Sequence, residues 1–395
     1  MTVAGIISEY NPFHLGHAAH IEKTRQVLGG DSAIVCVMSG NYVQRGDMAV
    51  FNKHARATMA VLCGADLVVE LPTPYALSSA EGFAEAGVHI LDNLGICDYL
   101  SFGSESGDVG ELHETAAAIV SPEAQATMKQ WLKKGLSYAS AQQKATDAVL
   151  GAGSDVLRSP NNLLGIEYIK ALTRTGSAMS PMTVQRTGGA HDGGSGFSAS
   201  ALRTMLERSE SPWAFMPKSA VTVAAEEMAA GRGPVFLKSC ELAVLARLRS
   251  IKDFSKLPGA TEGLDNRFLR YAASEPTVAA ILAGVKTKRY TMSRLRRMLM
   301  CACLGITAKD TQKPPSYIRV LAMNKTGMKL LSSAGKNTQI PIINKPASVN
   351  RLSENAIKLF TREADATDFY VLAYPDADRR IGGQEWRQTP VVVDD

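Results

Sequence analysis

The chain has 395 residues, 45% of them hydrophobic and 21% charged, the proportions of a folded globular protein rather than a disordered one. That length favours two domains. No apolar run of roughly eighteen residues and no basic-then-apolar leader is present, which argues against a membrane span and a signal peptide; a cytoplasmic location is expected. The net charge is only +5, but Lys286, Lys288, Arg289, Arg294, Arg296 and Arg297 stand in a stretch with almost no acidic residues. Such a block suits a polyanion, nucleic acid before membrane, although a solvated helix face has the same composition.

The first third alternates strands and helices. Val3–Ser8, 33–38, Leu67–Leu71 and 99–103 read as short buried strands. Leu15–Leu28, 53–63 and Ala80–Leu94 read as helices between them. This order predicts a parallel α/β sheet with right-handed crossovers, a Rossmann-like arrangement. Residues 109–175 read as mostly helical, 182–186 as a fifth strand and 198–208 as a helix after the glycine-rich stretch 187–196. Pro212 and Pro217 mark a boundary, giving a domain over 1–210 and a mainly helical, basic domain over 211–395 that turns irregular after Leu304. Six cysteines are present; none has zinc-site spacing, and free buried thiols in a reducing compartment are expected.

The segment Gly5-Ile6-Ile7-Ser8-Glu9-Tyr10-Asn11-Pro12-Phe13-His14-Leu15-Gly16-His17 carries the chemistry. A buried strand ends in a polar turn and a helix begins at once, at the edge where open α/β sheets bind ligands. His14 and His17 lie three apart on the first helical turn and can address one group. Gly16 removes a side chain there, and the helix N-terminus offers free N–H groups and a positive dipole end to phosphate. His20 follows on the same helix. Two further sets of residues could contribute. Ser198-Ala199-Ser200-Ala201-Leu202-Arg203 opens a helix with two hydroxyls and a guanidinium, although a serine at a helix start is also an ordinary cap. Asp66, Glu70 and Glu105 near strand ends could meet Mg²⁺, or simply cap and pair.

His14-Leu15-Gly16-His17 resembles the HxGH signature of the HIGH-motif nucleotidyltransferases, and the 198–203 segment resembles their second, Ser- and basic-residue element. The strings from Glu9 to His14, Met38 to Gly46, Gly64 to Pro72, Phe102 to Glu105 and Pro160 to Asn162 resemble one family within them, the bacterial tRNA(Met) cytidine acetate ligases. The resemblance covers most of 1–205 and weakens beyond. It implies activation of acetate by ATP to acetyl-adenylate, then transfer to N4 of the wobble cytidine of elongator tRNA(Met).

By this resemblance, His14, His17, Ser198, Ser200 and Arg203 are the catalytic set. ATP contacts fall on Ile6, Ile7, Ser8, Glu9, Tyr10, Asn11, Pro12, Phe13, His14, Leu15, Gly16, His17, Ala18, Ala19 and His20, and on Gly103, Asn162, Arg186 and Thr187. Mg²⁺ is expected, with ligands unknown. The basic residues from Lys286 to Arg297 are the expected RNA contacts. The glycine-rich stretch 188–196 reads as a closing loop or as a plain connector. Two other readings fit parts of the pattern. A cofactor adenylyltransferase would use the same motifs but would leave the basic second half unexplained. A non-catalytic RNA-binding protein would show a damaged motif, whereas His14, Gly16, His17 and Arg203 are intact.

Overall fold

The computed structural model describes residues 1–151, 155–186, 198–261 and 263–394. Its main sheet is built from β1 (Val3–Ser8), β2 (Ala33–Ser39), β5 (Leu67–Leu71), β6 (Tyr99–Ser104), β7 (Ser180–Gln185), β8 (Ile318–Met323), β9 (Ile342–Ile343) and β10 (Val391–Val392). β3 (Tyr42–Val43) and β4 (Asp47–Met48) form a separate small hairpin. The main strand order is β10-β8-β5-β2-β1-β6-β7, with β9 beside β8. The pairs β2–β1, β2–β5, β1–β6 and β6–β7 are parallel, and β5–β8 is antiparallel. Every residue of β2 and β5 is buried, which is why these strands read as unbroken apolar runs rather than alternating ones.

Helices α1 (Leu15–Leu28), α2 (Lys53–Leu62), α3 (Thr73–Ala76), α4 (Ala80–Leu94), α5 (Val109–Val120), α6 (Pro122–Lys133), α7 (Tyr138–Leu150), α8 (Pro160–Thr175) and α9 (Ala199–Glu207) occupy the first half. Beyond them stand α10 (Lys218–Ala229), α11 (Glu241–Ser250), α12 (Leu264–Ser274), α13 (Val278–Val285), α14 (Met292–Leu304), α15 (Lys325–Asn337) and α16 (Glu354–Val371). One sheet face packs Val35, Val37 and Val69 against α4 and α8. The other packs Ile34, Cys36 and Val68 against α2, α9 and α10. A third core holds α11 to α14 together with Tyr42 and Met48 of the hairpin and Phe369 and Tyr370 of α16.

The early strands and helices form where the sequence places them. The chain beyond 210 departs from the expected helical domain. After Leu304 it is not irregular: β8, β9 and β10 join the sheet of the first half, and α15 and α16 cover it. A division at residue 210 therefore separates strands that share one ladder.

Buried charge explains why these late segments return. Lys53, 2% exposed at the start of α2, lies 2.7 Å from both Glu70 of β5 and Glu385. Arg319 of β8, fully buried, faces Glu385 at 3.6 Å. Burial alone would raise the Glu385 carboxyl, but Lys53 and Arg319 hold it down at about 2. Burial, then the neighbouring Glu70, pushes Glu363 well above the carboxylate range, and its carboxyl accepts the Thr73 hydroxyl at 2.9 Å. The second half is thus tied to the first by ions that cannot be left unpaired.

Lys53→Met should accordingly destabilise the chain by about 3–5 kcal/mol, the usual cost of stranding a buried partner charge. Urea unfolding measures this; a shift below about 1 kcal/mol would show that water reaches the cluster.

Candidate active site

At the carboxyl end of β1 the backbone turns through Tyr10, which has a positive φ of 45°, and α1 starts at Leu15. His14 is the cap of α1. Its Nδ1 accepts the Gly16 N–H at 3.0 Å, and His17 Nδ1 accepts the His14 N–H at 3.2 Å. Both Nδ1 atoms are acceptors, so in each neutral ring the proton sits on Nε2. The rings stack at 3.7 Å between centroids, 25° apart. Two of the free donors of the helix end are satisfied by imidazoles, and each imidazole keeps an Nε2–H donor for a ligand. Gly16 is required for a reason the sequence did not reveal: a Cβ there would lie 2.9 Å from His14 Cε1.

His20 is held one turn further in. Thr24 donates its hydroxyl to the His20 carbonyl at 2.8 Å, so the Ser101 hydroxyl donates to Thr24 and accepts from His20 Nε2 at 3.0 Å. Arg186, just past β7 and exposed, acts on all three histidines. Burial first, then Arg186, lowers His14 and His20 to about 4. Burial, then His14, takes His17 well below its ordinary value. The three imidazoles are neutral at physiological pH, and Arg186 supplies the fixed positive charge.

Gly103 lies beneath Arg186. A Cβ at Gly103 would come 3.1 Å from Arg186 Cγ, so the glycine makes room for the arginine stem as well as for a ligand. Asn162 Oδ1 already accepts the Glu105 and Ser106 N–H groups at 2.8 and 3.1 Å. Its acceptor is committed to shaping that loop, and only its amide donors are left for recognition, fewer than an adenine-edge contact could use. Glu105 in turn accepts from Asn161 Nδ2 and from the Asn162 N–H at the start of α8.

Opposite the histidines, Arg203 of α9 donates to the Asn11 carbonyl at 2.8 Å. The far-apart HxGH turn and Ser-Arg helix therefore meet. Ser198 caps α9, accepting the Ala201 N–H at 3.2 Å, and Ser200 is exposed beside it. Side chains of Ile6, Phe13 and Tyr10 are buried in the core, as is Ile7 on the other sheet face, so these side chains are engaged in packing. Leu15, Gly16 and Ala19 are exposed. Thr187 and the stretch 188–196 lie outside the described residues.

One residue that shapes the site carries no sequence signal. Arg56, inside an unremarkable helical segment, is fully buried. It donates to the carbonyls of Phe51, Glu9, Ser39 and Gly40. Glu9 accepts the Gln44 N–H at 2.6 Å; burial raises its carboxyl, against Gln44, Arg203, Arg56 and Arg45.

Asp66, Glu70 and Glu105 do not converge on a metal. Asp66 pairs with Arg25 at 2.6 Å, Glu70 with Lys53, and Glu105 with Asn161 and Asn162. Among the described residues no group of three or more His, Cys, Asp or Glu could hold an ion.

The basic block is uneven. Arg294 donates to the Gly259 carbonyl and Thr261 hydroxyl and lies over Tyr290. Arg297 is half-buried and donates to the Gln44 carbonyl at 3.1 Å. Lys286 donates to the carbonyls of Thr287 and Tyr290. Arg296, Lys288 and Arg289 are exposed. The block expected as one RNA-facing run is partly internal scaffolding. No helix of the described residues is long and apolar enough to cross a membrane.

Related proteins share this sequence and fold. A family model described as HIGH nucleotidyl transferase matches residues 1–385. A tRNA(Met) cytidine acetate ligase of Acetivibrio thermocellus is 38% identical over the whole of both chains. One of Thermosipho africanus is 34% identical, again over both full lengths. The chain belongs to the tRNA(Met) cytidine acetate ligase family of HIGH nucleotidyltransferases. A crystal structure of Thermotoga maritima TmcAL bound with alpha-thio ATP covers all of both chains at a TM-score of 0.93 and 31% identity. An apo form of the same protein matches equally, at 0.93 and 30%. Similarity over full length includes the second half, where the sequence motifs alone give little.

The depressed histidines set a pH dependence. Between about 6.5 and 4 the unfolded chain binds protons that the folded chain refuses. Folding stability is therefore full above about pH 6.5 and falls as the pH drops toward 4. A bound triphosphate favours the imidazolium, so ATP binding at pH 6 should take up protons. Calorimetry in buffers of different ionisation enthalpy detects this; identical heats in all buffers would mean the imidazoles do not face phosphate.

Proposed function

We propose that this protein activates acetate with ATP to acetyl-adenylate and transfers the acetyl group to N4 of the wobble cytidine of elongator tRNA(Met). The observation that carries this reading is the meeting of two neutral Nε2–H imidazoles, the Arg186 charge and Arg203 around one strand-turn-helix. It is supported by a relative of the same fold whose structure holds an ATP analogue.

In the first step an acetate oxygen attacks the α-phosphorus and the bond to pyrophosphate breaks. Acetate is already ionised at neutral pH, so no base is needed; orientation and neutralisation of the developing phosphate charge are. His14 and His17 donate Nε2–H bonds to the phosphates over the α1 N-terminus, and Arg186 and Arg203 close on the chain from opposite sides. The polar groups of the site are donors and its nearby carboxylates are engaged. Mg²⁺ would therefore be held chiefly by the phosphates, whose charge it would help to neutralise. In the second step cytidine N4 attacks the acetyl carbon, the bond to AMP breaks and N4 loses a proton. The exocyclic amine is a poor nucleophile, and the mixed anhydride supplies the leaving group it needs.

The test is acetate-dependent exchange of labelled pyrophosphate into ATP, followed by acetylation of unmodified tRNA(Met). Acetylation should require ATP and free acetate; modification from acetyl-CoA without ATP would sink the adenylate route. His17→Ala and Arg203→Ala should each slow exchange by about two to three orders of magnitude. Normal exchange in both would move the site away from this turn.

A further inference from the structure

The nucleotide half of the crevice lies between β1 and β6. There the order reverses, β1 leading to β2 and β5 on one side and to β6 and β7 on the other, the switch point at which open sheets take their ligand. His20, through Ser101 of β6, and Arg186, past β7, belong to that side. The other side of β1, above the end of β2, is occupied by the turn between β3 and β4. Its chemistry is not used by adenylation.

That turn is locked to both halves of the protein. Gln44 donates its N–H to Glu9 in the ATP turn at 2.6 Å, and its carbonyl accepts from Arg297 of α14 at 3.1 Å. Gly46 has a φ of 75°, and a Cβ there would overlap the backbone of Arg296 and Arg297. Only a glycine lets the turn lie directly on α14. The backbones that carry Arg45 and Arg296 are thereby brought together from the two halves of the chain.

Both arginines are exposed. Neither makes a hydrogen bond or an ion pair with another described residue, in contrast to Arg294 and Arg297 beside them. They act on the same carboxylates as Arg203: Arg45 and Arg203 on Glu9, Arg296 and Arg203 on Asp47. Arg203, half-buried and bonded to Asn11, is the inner member of this row. Arg45 and Arg296 are its exposed members.

We infer that Arg45 and Arg296 form a phosphate-binding subsite for the RNA strand that carries the acceptor cytidine, on the β2 side of the adenylate. This rests on the acetate-ligase reading and adds the place where the second substrate is gripped. The base must approach the acyl carbon from the side ATP leaves open, and its phosphodiester must be neutralised there. Two exposed guanidinia at the rim, carried on backbones held together by the Gly46 contact, match a phosphodiester backbone in charge. A deeper, helix-end cradle already serves the triphosphate. Because each half of the protein contributes one arginine, the subsite exists only when the hairpin and α14 are in contact.

The experiment uses full-length protein carrying Arg45→Ala, Arg296→Ala, both together, and the double Lys variant. Binding of unmodified tRNA(Met) is measured directly against salt concentration, independently of acetylation. Acetate-dependent pyrophosphate exchange is measured without tRNA. Each Ala variant should weaken tRNA binding about 5- to 10-fold. The slope of log K against log salt should flatten by roughly 0.7–0.9 per arginine. The Lys variant should restore most of the binding. The ATP KM and the exchange rate should stay within about twofold of wild type. Unchanged tRNA affinity and salt slope in the double Ala variant would overturn the inference. So would a rise in the ATP KM with tRNA binding intact, which would assign the pair to the triphosphate. Absence of acetate-dependent exchange in the wild type would instead count against the acetate-ligase reading, and the tRNA-binding series would still decide the role of the arginines.

Discussion

The crevice depends on one buried cation. Among the described residues Arg56 forms no ion pair with a carboxylate; its guanidinium is satisfied by the carbonyls of Glu9, Ser39, Gly40 and Phe51. Those carbonyls belong to the chain just past β1, to the end of β2 and to the segment leading into α2. Chain ends at the carboxyl edge of a parallel sheet leave carbonyls without ladder partners, and burying them unpaired is costly. A single planar donor fork pulls them together. Burial lowers the Arg56 pKa to about 10, so the fork stays charged at neutral pH. The turn from Glu9 to His14 and the rim from Ser39 to Gly46 are set against each other by this contact, and the α1 cap and the hairpin inherit their positions from it.

Around this fixed rim the polar groups divide by side. The β6 side holds three neutral imidazoles, of which His14 and His17 keep Nε2 protons clear of the backbone, with the exposed Arg186 acting on all three. The β2 side holds carboxylates whose charge is opposed by arginines from three separate elements. An enzyme that uses one anionic substrate after another needs such a division. If all its cations faced one pocket, the released pyrophosphate and the incoming RNA would compete for them.

Much of this was legible in the sequence, for physical reasons that differ by element. The strands β1, β2, β5 and β6 were readable because parallel strands buried within the sheet leave short apolar runs bounded by glycine, proline and polar turns, whereas the two-residue strands of the β3–β4 hairpin were too short to leave a pattern. The α1 start was readable because histidine, glycine and histidine follow directly on such a run. β8 was missed because Arg319 interrupts its apolar run, and that arginine finds its partners only far along the chain, at Glu385, 66 positions later at 3.6 Å, and at the carbonyls of Ile343 and Gln388. The same blindness affects Arg56, whose partners are carbonyls and so leave no trace in composition. It also affects the basic block, where charge counting cannot separate Arg297, spent on a carbonyl of the hairpin, from Arg296 beside it. Asn162 shows the reverse error: an amide rich in recognition potential is largely consumed in holding a loop.

The return of β8 and β10 to the sheet has a consequence for biogenesis. β5, which flanks the nucleotide strands, has β8 as its outer neighbour, and Lys53 finds its second carboxylate at Glu385. While residues up to about 310 have emerged from the ribosome, the α/β half holds a buried-type lysine one carboxylate short and an open hydrophobic strand edge. Pairings this distant in sequence form late, and an exposed edge invites association with other chains. The nascent protein therefore spends most of its synthesis in a sticky, incompletely neutralised state. Final closure of the ATP-binding half is coupled to the arrival of segments that never touch ATP.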